Sequence, residues 1–322
     1  PQAGRYREFT QADIDIVGSS SMEADTEVIT VMDEILKNLG IKNYLIKINN
    51  RKILNGLPQY ADFAEAKLME VLRIIDKTDK IGYEEMKNEL EKTLPQDAAQ
   101  KIENFLKISG KAEEKLDQAE ILLQSSPMSQ EGIAELKEIV AGLDVSGVNR
   151  QNWTIDFMTV RGLGYYTGPV FETILTDAPE MGSIFSGGRY DNLMLAFTGQ
   201  KIPSVGTSLG VDRFMAILEK LELLETKATT LEVLILNLSP ELKLDYQSLA
   251  KRLRQGGINT DLYLGKDSPL QAQLAYAVKR EIPYVIIYGD DENRKNTVSI
   301  KNLRTRKQTE IAKDKIVEYF RK

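Results

Sequence analysis

The sequence predicts an α+β protein in which an all-helical block interrupts a sheet-containing domain and a separate α/β domain follows. Three observations support this fold class. Residues 62–141 carry apolar side chains at helical spacing throughout, whereas glycine-rich segments of strand type lie on both sides of them. Residues 230–322 alternate strand and helix patterns. These C-terminal residues carry 17 Lys and Arg against 12 Asp and Glu, so their net charge is +5 in a chain whose total is −6.

These patterns also predict the domain boundaries. We place the sheet domain in residues 1–60 and 149–226, the helical insertion in residues 61–148, and the C-terminal α/β domain in residues 227–322. The basic charge of the C-terminal domain fits a polyanion partner, and it fits an ordinary solvated surface equally well.

The composition excludes several chemistries. With no cysteine and no histidine, the chain cannot form a disulfide, a thiolate or imidazole zinc site, or a Ser-His-Asp or Cys-His catalytic group. Chemistry must therefore come from carboxylates, Arg, Lys, Tyr, backbone dipoles or a hard cation such as Mg²⁺. The sequence has neither an apolar run of about 18 residues nor a signal-peptide pattern. We expect a cytoplasmic protein, in agreement with the absence of cysteine.

The first part of the sheet domain has the pattern strand, helix, strand. Phe9 to Val17 alternates apolar and polar residues, which predicts a strand with one apolar and one polar face. Ala24 to Leu39 has helical spacing and stops before Gly40, and Tyr44 to Ile48 again has a strand pattern. The apolar face of the first strand consists of Ala12, Ile14 and Ile16, and its polar face of Gln11, Asp13 and Asp15.

Four apolar stripes predict helices in the inserted block, where we find no pattern of recognisable chemistry. The stripes are Leu68, Met69, Leu72 and Ile75; Tyr83, Met86 and Leu90; Ile102, Phe105 and Leu106; and Ile133, Leu136 and Ile139. From Ile155 to Glu219 strand patterns return, and they close with a helix from Val211 to Lys220.

The C-terminal domain is predicted as βαβαββα with a mixed sheet. Ser239-Pro240 and Ser268-Pro269 are typical starts of its first two helices. We predict a hairpin through Asp290 to Asn293 and a last helix from Ile311 to Phe320. The predicted strands before the hairpin are Leu231 to Leu238, Asn259 to Leu264 and Tyr284 to Tyr288.

Candidate chemistry is confined to four short segments. In the first, Gly4 to Asp15, Arg5 and Arg7 precede the carboxylates of the first strand. The arginines would suit a phosphate, and carboxylates in a pocket would suit a ligand with several hydrogen-bond donors. The alternative is an ordinary solvated face, because a strand with one apolar side usually exposes the other side to water.

The second segment, Val160 to Glu172, reads VRGLGYYTGPVFE. Its glycines are spaced G-x-G-x-x-x-G and a strand pattern follows, so the dinucleotide-binding fingerprint is not satisfied. Arg161 lies near Tyr165 and Tyr166 in the sequence, which indicates an anion contact with polar aromatic groups nearby. A turn without a ligand would also explain the glycines.

The third and fourth segments are SGGRYDNL, from Ser186 to Leu193, and SVGTSLGVDRF, from Ser204 to Phe214. Paired glycines allow a backbone to approach a ligand closely, although they also make tight turns. Arg213 falls in the first turn of a predicted helix. A cation there opposes the helix dipole, so its presence is favourable only if an anion lies nearby.

Together the four segments resemble class II aminoacyl-tRNA synthetases and, among them, the histidyl-tRNA synthetases. Gly4 to Gln11 is similar to the latter half of the second class II motif, and GTSLGVDR is similar to the third, with its arginine at Arg213. RGLGYYTG and SGGRYD resemble the two histidine-specific signatures of the family. The resemblance implies a class II catalytic domain with an antiparallel sheet and helices, a helical insertion, and a C-terminal α/β domain of the anticodon-binding type.

The resemblance implies that histidine and ATP form histidyl-adenylate and that the histidyl group then passes to tRNA(His), with Mg²⁺ assisting. Arg161 would be the catalytic group, acting on the α-phosphate and on the substrate carboxylate. Gln11 would bind the α-amino group, and Asp15 with Tyr166 would bind the imidazole nitrogens. The implied ATP contacts are Arg5, Phe9 and Arg213; the other implied histidine contacts are Arg161, Tyr165, Gly187 and Gly188; the implied contacts with the tRNA acceptor end are Gln2 and Arg7. No protein ligand is assigned to the metal.

The sequence departs from the family pattern at its start. The first motif, which builds the dimer interface, and the leading arginine of the second motif are absent. We therefore expect a segment before Pro1, a homodimer when that segment is present, and no adenylate formation by these 322 residues alone. Two alternatives remain, a histidine-binding regulatory paralogue without aminoacylation and a tRNA-binding module without catalysis. The retained Arg161, Arg213 and C-terminal domain favour the enzyme.

Overall fold

The computed structural model describes residues 6–162, 164–224, 228–265 and 268–321, and the chain divides into two compact units, residues 1–224 and 225–322. The first unit contains one six-stranded sheet, in the spatial order β1-β6-β5-β4-β2-β3. All neighbouring strands are antiparallel except β2 and β3. The strands are β1 Gln11–Val17, β2 Tyr44–Asn50, β3 Trp153–Ile155, β4 Pro169–Leu175, β5 Ser183–Arg189 and β6 Ser204–Gly210.

Helices fill the chain between β2 and β3, as the apolar stripes predicted. The predicted stripe residues from Leu72 onward are buried, except for the half-buried Tyr83. The rings of Phe105 and Phe157 lie 4.8 Å apart, so the helical block shares a core with the sheet. The α-helices of this unit are α1 Met22–Asn38, α2 Arg51–Asn55, α3 Leu57–Ala61, α4 Leu68–Asp76, α5 Thr78–Ile81, α6 Tyr83–Thr93, α7 Gln96–Leu106, α8 Ala112–Leu122, α9 Pro127–Val145, α10 Leu195–Thr198 and α11 Val211–Lys220.

The sequence did not predict α2 and α3. Both are only five residues long, which is too short for helical periodicity to be recognised. Tertiary packing holds them in place: a Cβ on Gly56, between the two helices, would lie 2.0 Å from Ser129 Oγ on α9. The backbones can approach this closely because glycine has no side chain.

Strand register gives the six-stranded sheet one apolar face and one polar face. Directly paired residues on neighbouring strands point to the same side of a sheet. The side that faces α1 carries buried residues such as Ile48 and Phe171, which belong to one core with Val28 and Met32 of α1. Along β1, only Ile14 and Ile16 are partly buried, as the predicted alternation required, and the polar residues are exposed.

The second unit contains a mixed five-stranded sheet, in the order β11-β10-β9-β7-β8. Strand β7 runs parallel to β8 and β9, whereas β10 is antiparallel to both β9 and β11. This agrees with the predicted α/β domain. The elements are β7 Val233–Ile235, α12 Lys243–Gln255, β8 Thr260–Leu262, α13 Leu270–Lys279, β9 Tyr284–Ile287, α14 Asp290–Lys295, β10 Thr297–Asn302, β11 Gln308–Ala312 and α15 Ile316–Phe320.

Two details of the predicted C-terminal domain are wrong. Asp290–Asn293 belongs to helix α14, in which three acidic residues occupy the first turn and Glu292 accepts a hydrogen bond from the Gly289 backbone at 3.0 Å. Carboxylates in the first turn interact favourably with the positive end of the helix dipole. This favours a helix over the turn that the same residues would otherwise form. The predicted last helix is shorter, because Ile311 pairs with Val298 in a hairpin between β10 and β11. A short apolar run is compatible with both the helical and the strand periodicity. Here pairing with another strand selects the strand.

None of the helices in the described ranges combines the length and the apolar composition that a bilayer crossing needs.

Candidate active site

The polar face of the six-stranded sheet carries a continuous row of hydrophilic side chains. The register aligns one residue from each strand: Asp13, Ser208, Ser186, Glu172, Lys47 and Thr154. A second row, one pleat away, passes through Asp15, Gly206 and Gly188. Hydrophilic groups collected on one face of a sheet, opposite a packed apolar face, indicate a binding surface.

A β-bulge adds Ser183 to this face. The pairing of β4 and β5 shifts between Thr173 and Ile174, which brings the side chain of Ser183 to the side occupied by Ser186. The two hydroxyl oxygens lie 3.2 Å apart. The extra residue therefore gives β5 two neighbouring hydroxyl groups at the sheet surface.

Arg161 lies over this part of the polar row. Its Nε donates to Glu172 Oε2 at 2.6 Å, and its Nη2 lies 3.5 Å from Ser183 Oγ. Burial opposes the charge of the guanidinium, but the Glu172 carboxylate outweighs burial and raises the pKa of Arg161 above its ordinary value. Glu172 is buried, whereas the Arg161 side chain is 38% exposed, so a fixed cation faces solvent.

Arg213 reaches the same serine from helix α11. Its Nη1 donates to the Ser183 carbonyl oxygen at 2.9 Å. Arg213 lies in the first turn of α11, as predicted, and it lines a cavity of about 360 Å³. Other residues lining this cavity include Phe9, Gln11, Ser183, Ser186 and Ser208. The two arginines from distant segments therefore converge on one end of β5.

Gln11 and Phe9 occupy the β1 side of this cavity. The Gln11 side-chain amide donates to Ser208 Oγ at 2.6 Å. Phe9 lies just before β1 and is 58% exposed, so one face of an apolar ring is open to a ligand. A flat aromatic group beside hydroxyls and a guanidinium can bind a nucleobase next to its phosphates.

Asp15 and Tyr166 lie over the second row. Asp15 accepts a hydrogen bond from the Tyr190 hydroxyl. A Cβ on Gly206 would lie 1.9 Å from Asp15 Oδ1, and a Cβ on Gly188 would lie 3.0 Å from the Tyr166 ring. Burial, with a smaller effect of Tyr165, raises the pKa of Tyr166 well above its ordinary value, so its hydroxyl remains a neutral donor and acceptor. The Asp15 carboxylate and the Tyr166 ring therefore lie directly against the backbone of glycine residues.

Gly187 has a packing role in the structure. A Cβ there would lie 2.4 Å from both the Phe171 ring and the Gly206 carbonyl oxygen. It points to the apolar side of the sheet, because it pairs with Phe171 and Thr207. Any effect of Gly187 on a ligand therefore acts through the position of its neighbour Gly188.

Tyr165 lies to one side of the site. It is 51% exposed, its ring centroid is 4.3 Å from that of Tyr166, and both tyrosines line a second cavity of about 560 Å³ together with Lys52 and Asn55. Arg7 is exposed, and the predicted ligands Gln2 and Arg5 lie outside the described residues.

Several residues of this surface had no role in the sequence-based prediction. Glu172 and Tyr190 belong to the quoted motifs, but the ligand assignments omitted them. The pairing of β4 with β5 places Glu172 and Ser186 on one face, and because neither strand alternates polar and apolar residues, this does not follow from their sequence. The contacts of Ser183 depend on a bulge, and Lys47 and Ser208 join the row only through strand order, so neither follows from local sequence.

Comparisons with known proteins agree on one family. A family model described as histidyl-tRNA synthetase matches residues 1–214, and one described as anticodon binding domain matches residues 232–322. The histidine–tRNA ligase of Wolinella succinogenes is 43% identical over 94% of this chain and 69% of its own length. The histidine–tRNA ligase of Clostridium tetani is 37% identical over 99% of this chain and 73% of its own length. The crystal structure of histidyl-tRNA synthetase from Nostoc sp. PCC 7120 superposes with a TM-score of 0.82 at 35% identity, covering 98% of this chain and 74% of that one.

Proposed function

Because the chain belongs to the histidyl-tRNA synthetase family, we propose that the polar face of its six-stranded sheet binds histidine and ATP side by side and joins them. The chain is a histidine–tRNA ligase, which uses ATP to attach histidine to tRNA. One observation carries the location of the site. Arg161 contacts the side-chain hydroxyl of Ser183, and Arg213 contacts its backbone carbonyl oxygen. Both contacts lie on the face of the sheet that also carries Asp15 and Tyr166.

The arrangement suits attack of a carboxylate on a phosphate. In the first step, a histidine carboxylate oxygen bonds to the α-phosphorus of ATP and the bond to the β-phosphate oxygen breaks, which releases pyrophosphate. Both reactants are negative, so a fixed cation between them lowers the barrier most. We assign this role to Arg161, whose Nε is held by Glu172 and whose side chain is 38% exposed over the polar face. Arg213 would neutralise the phosphates from the other side of Ser183.

Recognition of histidine is assigned to the second row. The Asp15 carboxylate can accept about four hydrogen bonds, so it can bind an imidazole N–H while it also accepts from Tyr190. The Tyr166 hydroxyl would bind the other ring nitrogen. Gln11 would contact the α-amino group through its side-chain oxygen, because its amide nitrogen donates to Ser208. Phe9 would stack on adenine at the β1 side of the cavity.

In the second step, a ribose hydroxyl of the terminal adenosine of tRNA attacks the histidyl carbonyl carbon and AMP leaves. We propose that the second unit binds the anticodon region, since it matches an anticodon-binding domain and its residues 230–322 have a net charge of +5. The contacts of Gln2 and Arg7 with the tRNA acceptor end remain predictions. The contact of Arg5 with ATP is likewise a prediction.

Mg²⁺ would enter the site with ATP as part of the substrate. The described residues contain no cluster of three carboxylates that would hold a cation by itself. In nucleotide enzymes Mg²⁺ takes most of its ligands from phosphates and water. The cation would add to the charge neutralisation by the two arginines.

A homodimer and a cytoplasmic location also remain proposals, based on the family resemblance. Sedimentation velocity of the full-length polypeptide tests the first. A single species with the mass of one chain at micromolar concentration would contradict the homodimer.

Titration calorimetry tests the function. We expect the full-length polypeptide to bind both histidine and ATP, and to exchange pyrophosphate into ATP only when histidine is present. Binding of histidine alone would instead identify a regulatory paralogue, and binding of neither would identify a tRNA-binding module. Arg161→Lys should lower the exchange rate by about 100-fold, because lysine cannot contact Glu172 and a phosphate together. An unchanged rate would remove Arg161 from its assigned role.

A further inference from the structure

Arg189 lies beneath the sheet, on the side away from the candidate active site. Its side chain is 3% exposed and that of its partner Asp25, on α1, is 0% exposed. Nε donates to Asp25 Oδ2 at 3.1 Å, and Nη2 donates to the same oxygen. The guanidinium also donates to the backbone carbonyls of Ser19 at 2.8 Å and Ser21 at 3.0 Å. One side chain thus fixes the turn between β1 and α1 at three points.

The next residue, Tyr190, points to the opposite face. Consecutive strand residues alternate between the two sides of a sheet. Tyr190 accordingly lies on the side of the site, where its hydroxyl donates to Asp15. Asp15 belongs to β1, just before the turn that Arg189 holds. Two consecutive residues therefore hold the end of β1 from both faces.

The backbone of Arg189 holds a second part of the site. Its carbonyl oxygen accepts the Thr167 backbone N–H at 2.8 Å, and the Asp191 N–H donates to Thr167 Oγ1 at 3.1 Å. Thr167 directly follows Tyr166. A Cβ on Gly168 would lie 3.1 Å from Arg189 Cδ, so this glycine leaves room for the arginine side chain.

A buried ion pair is a poor device for stability alone. Removing both charges from water is costly, and apolar residues of similar volume often stabilise a protein better. Burial raises the pKa of Asp25 to about 6, although Arg189 acts against this increase. The attraction of Arg189 therefore does not fully offset the cost of removing the Asp25 carboxylate from water. What an arginine supplies here, and an apolar residue cannot, is a planar group of donors that fixes several acceptors in one geometry.

We propose that Arg189 is a positioning residue for histidine recognition. Its side chain places the turn after β1, and hence Asp15, while its carbonyl places Thr167, and hence Tyr166. The two groups assigned to the imidazole nitrogens are therefore kept at one spacing by a residue that touches no substrate. This inference rests on the proposed function of the site, because it concerns the histidine subsite and leaves the ATP cavity unaffected.

Arg189→Lys tests the proposal in the full-length polypeptide. Lysine keeps the charge but loses the planar array of donors. We expect the Kd for histidine to rise about 10-fold while the Kd for ATP stays within about 2-fold, both measured by titration calorimetry. A purely structural role would lower the melting temperature and leave both constants unchanged, or weaken both ligands equally, and either result would overturn the proposal.

Asp33→Asn is the matched control. Asp33 is a buried carboxylate on α1, the helix that carries Asp25, and it accepts hydrogen bonds from Tyr44 and Asn152. Its loss should reduce stability without changing histidine affinity. If Arg189→Lys does not fold, Asp25→Asn takes its place, since an amide oxygen can still accept from Arg189, and the same histidine-specific loss is expected.

A double-mutant cycle with Tyr190→Phe adds a direct measure of coupling. If both residues hold Asp15, the loss in the double variant should be smaller than the product of the single losses. Independent effects would contradict the proposed link through Asp15. Failure of the wild-type protein to bind histidine would refute the proposed function itself, whereas normal wild-type binding with unaffected variants would refute only the role of Arg189.

Discussion

Arg161 donates its Nε hydrogen to Glu172 Oε2 at 2.6 Å, and the two residues have opposite exposures, since the carboxylate is buried and the guanidinium is partly open to solvent. The contact uses Nε of the guanidinium, while Nη2 lies 3.5 Å from Ser183 Oγ and the side chain remains 38% exposed. The pair connects the loop between β3 and β4 to strand β4, so it fixes the cation over the polar face. Preorganised charges of this kind act without reorganisation during the reaction.

Glu172→Gln should therefore reduce the rate of adenylate formation. Glutamine can still accept one hydrogen bond, but without the charge the bond is weaker and Arg161 is less well oriented. We expect kcat for pyrophosphate exchange to fall by about 10- to 100-fold, with KM for ATP changed by less than about 3-fold. Glu180→Gln, which affects an exposed pair with Lys220, is the control and should be neutral. A normal kcat in Glu172→Gln would show that Arg161 is positioned by other contacts.

Phe9→Ala tests the adenine side of the cavity. Phe9 is more than half exposed, so truncation should not affect folding. Loss of stacking on a base costs about 1–3 kcal/mol, which corresponds to a rise in the Kd for ATP of about 5- to 150-fold. Calorimetry with ATP and, separately, with histidine measures this, and histidine affinity should stay unchanged. Phe197→Ala removes an even more exposed ring outside the cavity and should leave both affinities as they are. Equal behaviour of the two variants would argue against stacking on Phe9.

Gly206→Ala should impair the histidine subsite. The new methyl group would lie 1.9 Å from Asp15 Oδ1 and 2.7 Å from the Ile14 carbonyl oxygen, so the carboxylate must move. We expect histidine affinity to fall at least ~10-fold, because buried polar recognition tolerates little displacement. Gly289→Ala, where the added atom would only reach 3.4 Å from Glu292, is the control for the loss of a glycine. Unchanged histidine binding by a folded Gly206→Ala variant would remove Asp15 from the subsite.

Glu103→Gln should destabilise the helical block in a pH-dependent manner. Glu103 on α7 binds Lys107 at 2.6 Å and Lys87 on α6 at 3.4 Å. The hydrogen bond from Lys107 lowers the pKa of Glu103 below its ordinary 4.5, more than burial raises it. A lowered pKa gives stability that is present above pH 4.5 and is lost as the pH falls through the folded-state pKa.

The variant should thus lose about 1 kcal/mol at pH 7, which is about 2–4 °C in melting temperature for a unit of this size. Calorimetric melting at a series of pH values measures the difference, which should shrink toward acid pH. A difference that stays constant below pH 4 would mean that side-chain packing, and not charge, is responsible.

Much of the fold could be predicted from the amino-acid sequence alone. Periodicity predicted the helical block, and residues such as Phe105 and Leu136 are buried as expected. The alternation of β1 predicted which side of the strand carries Gln11 and Asp15, and the glycine-rich motifs predicted segments that lie around the candidate site. These features are local: each depends on spacing within a few residues, which the chain carries wherever it folds.

Which of these residues contact each other depends on how the strands assemble into the sheet. Asp15 and Tyr190 are far apart in the chain, as are Arg189 and Asp25, and their contacts exist because β1, β5 and β6 lie side by side. The assignment of Ile311 to a strand likewise required Val298 as its partner. The physical reason is the same in each case. Side-chain periodicity indicates the face on which a residue lies, but strand order and register choose its neighbours, and these are set by packing of the whole sheet.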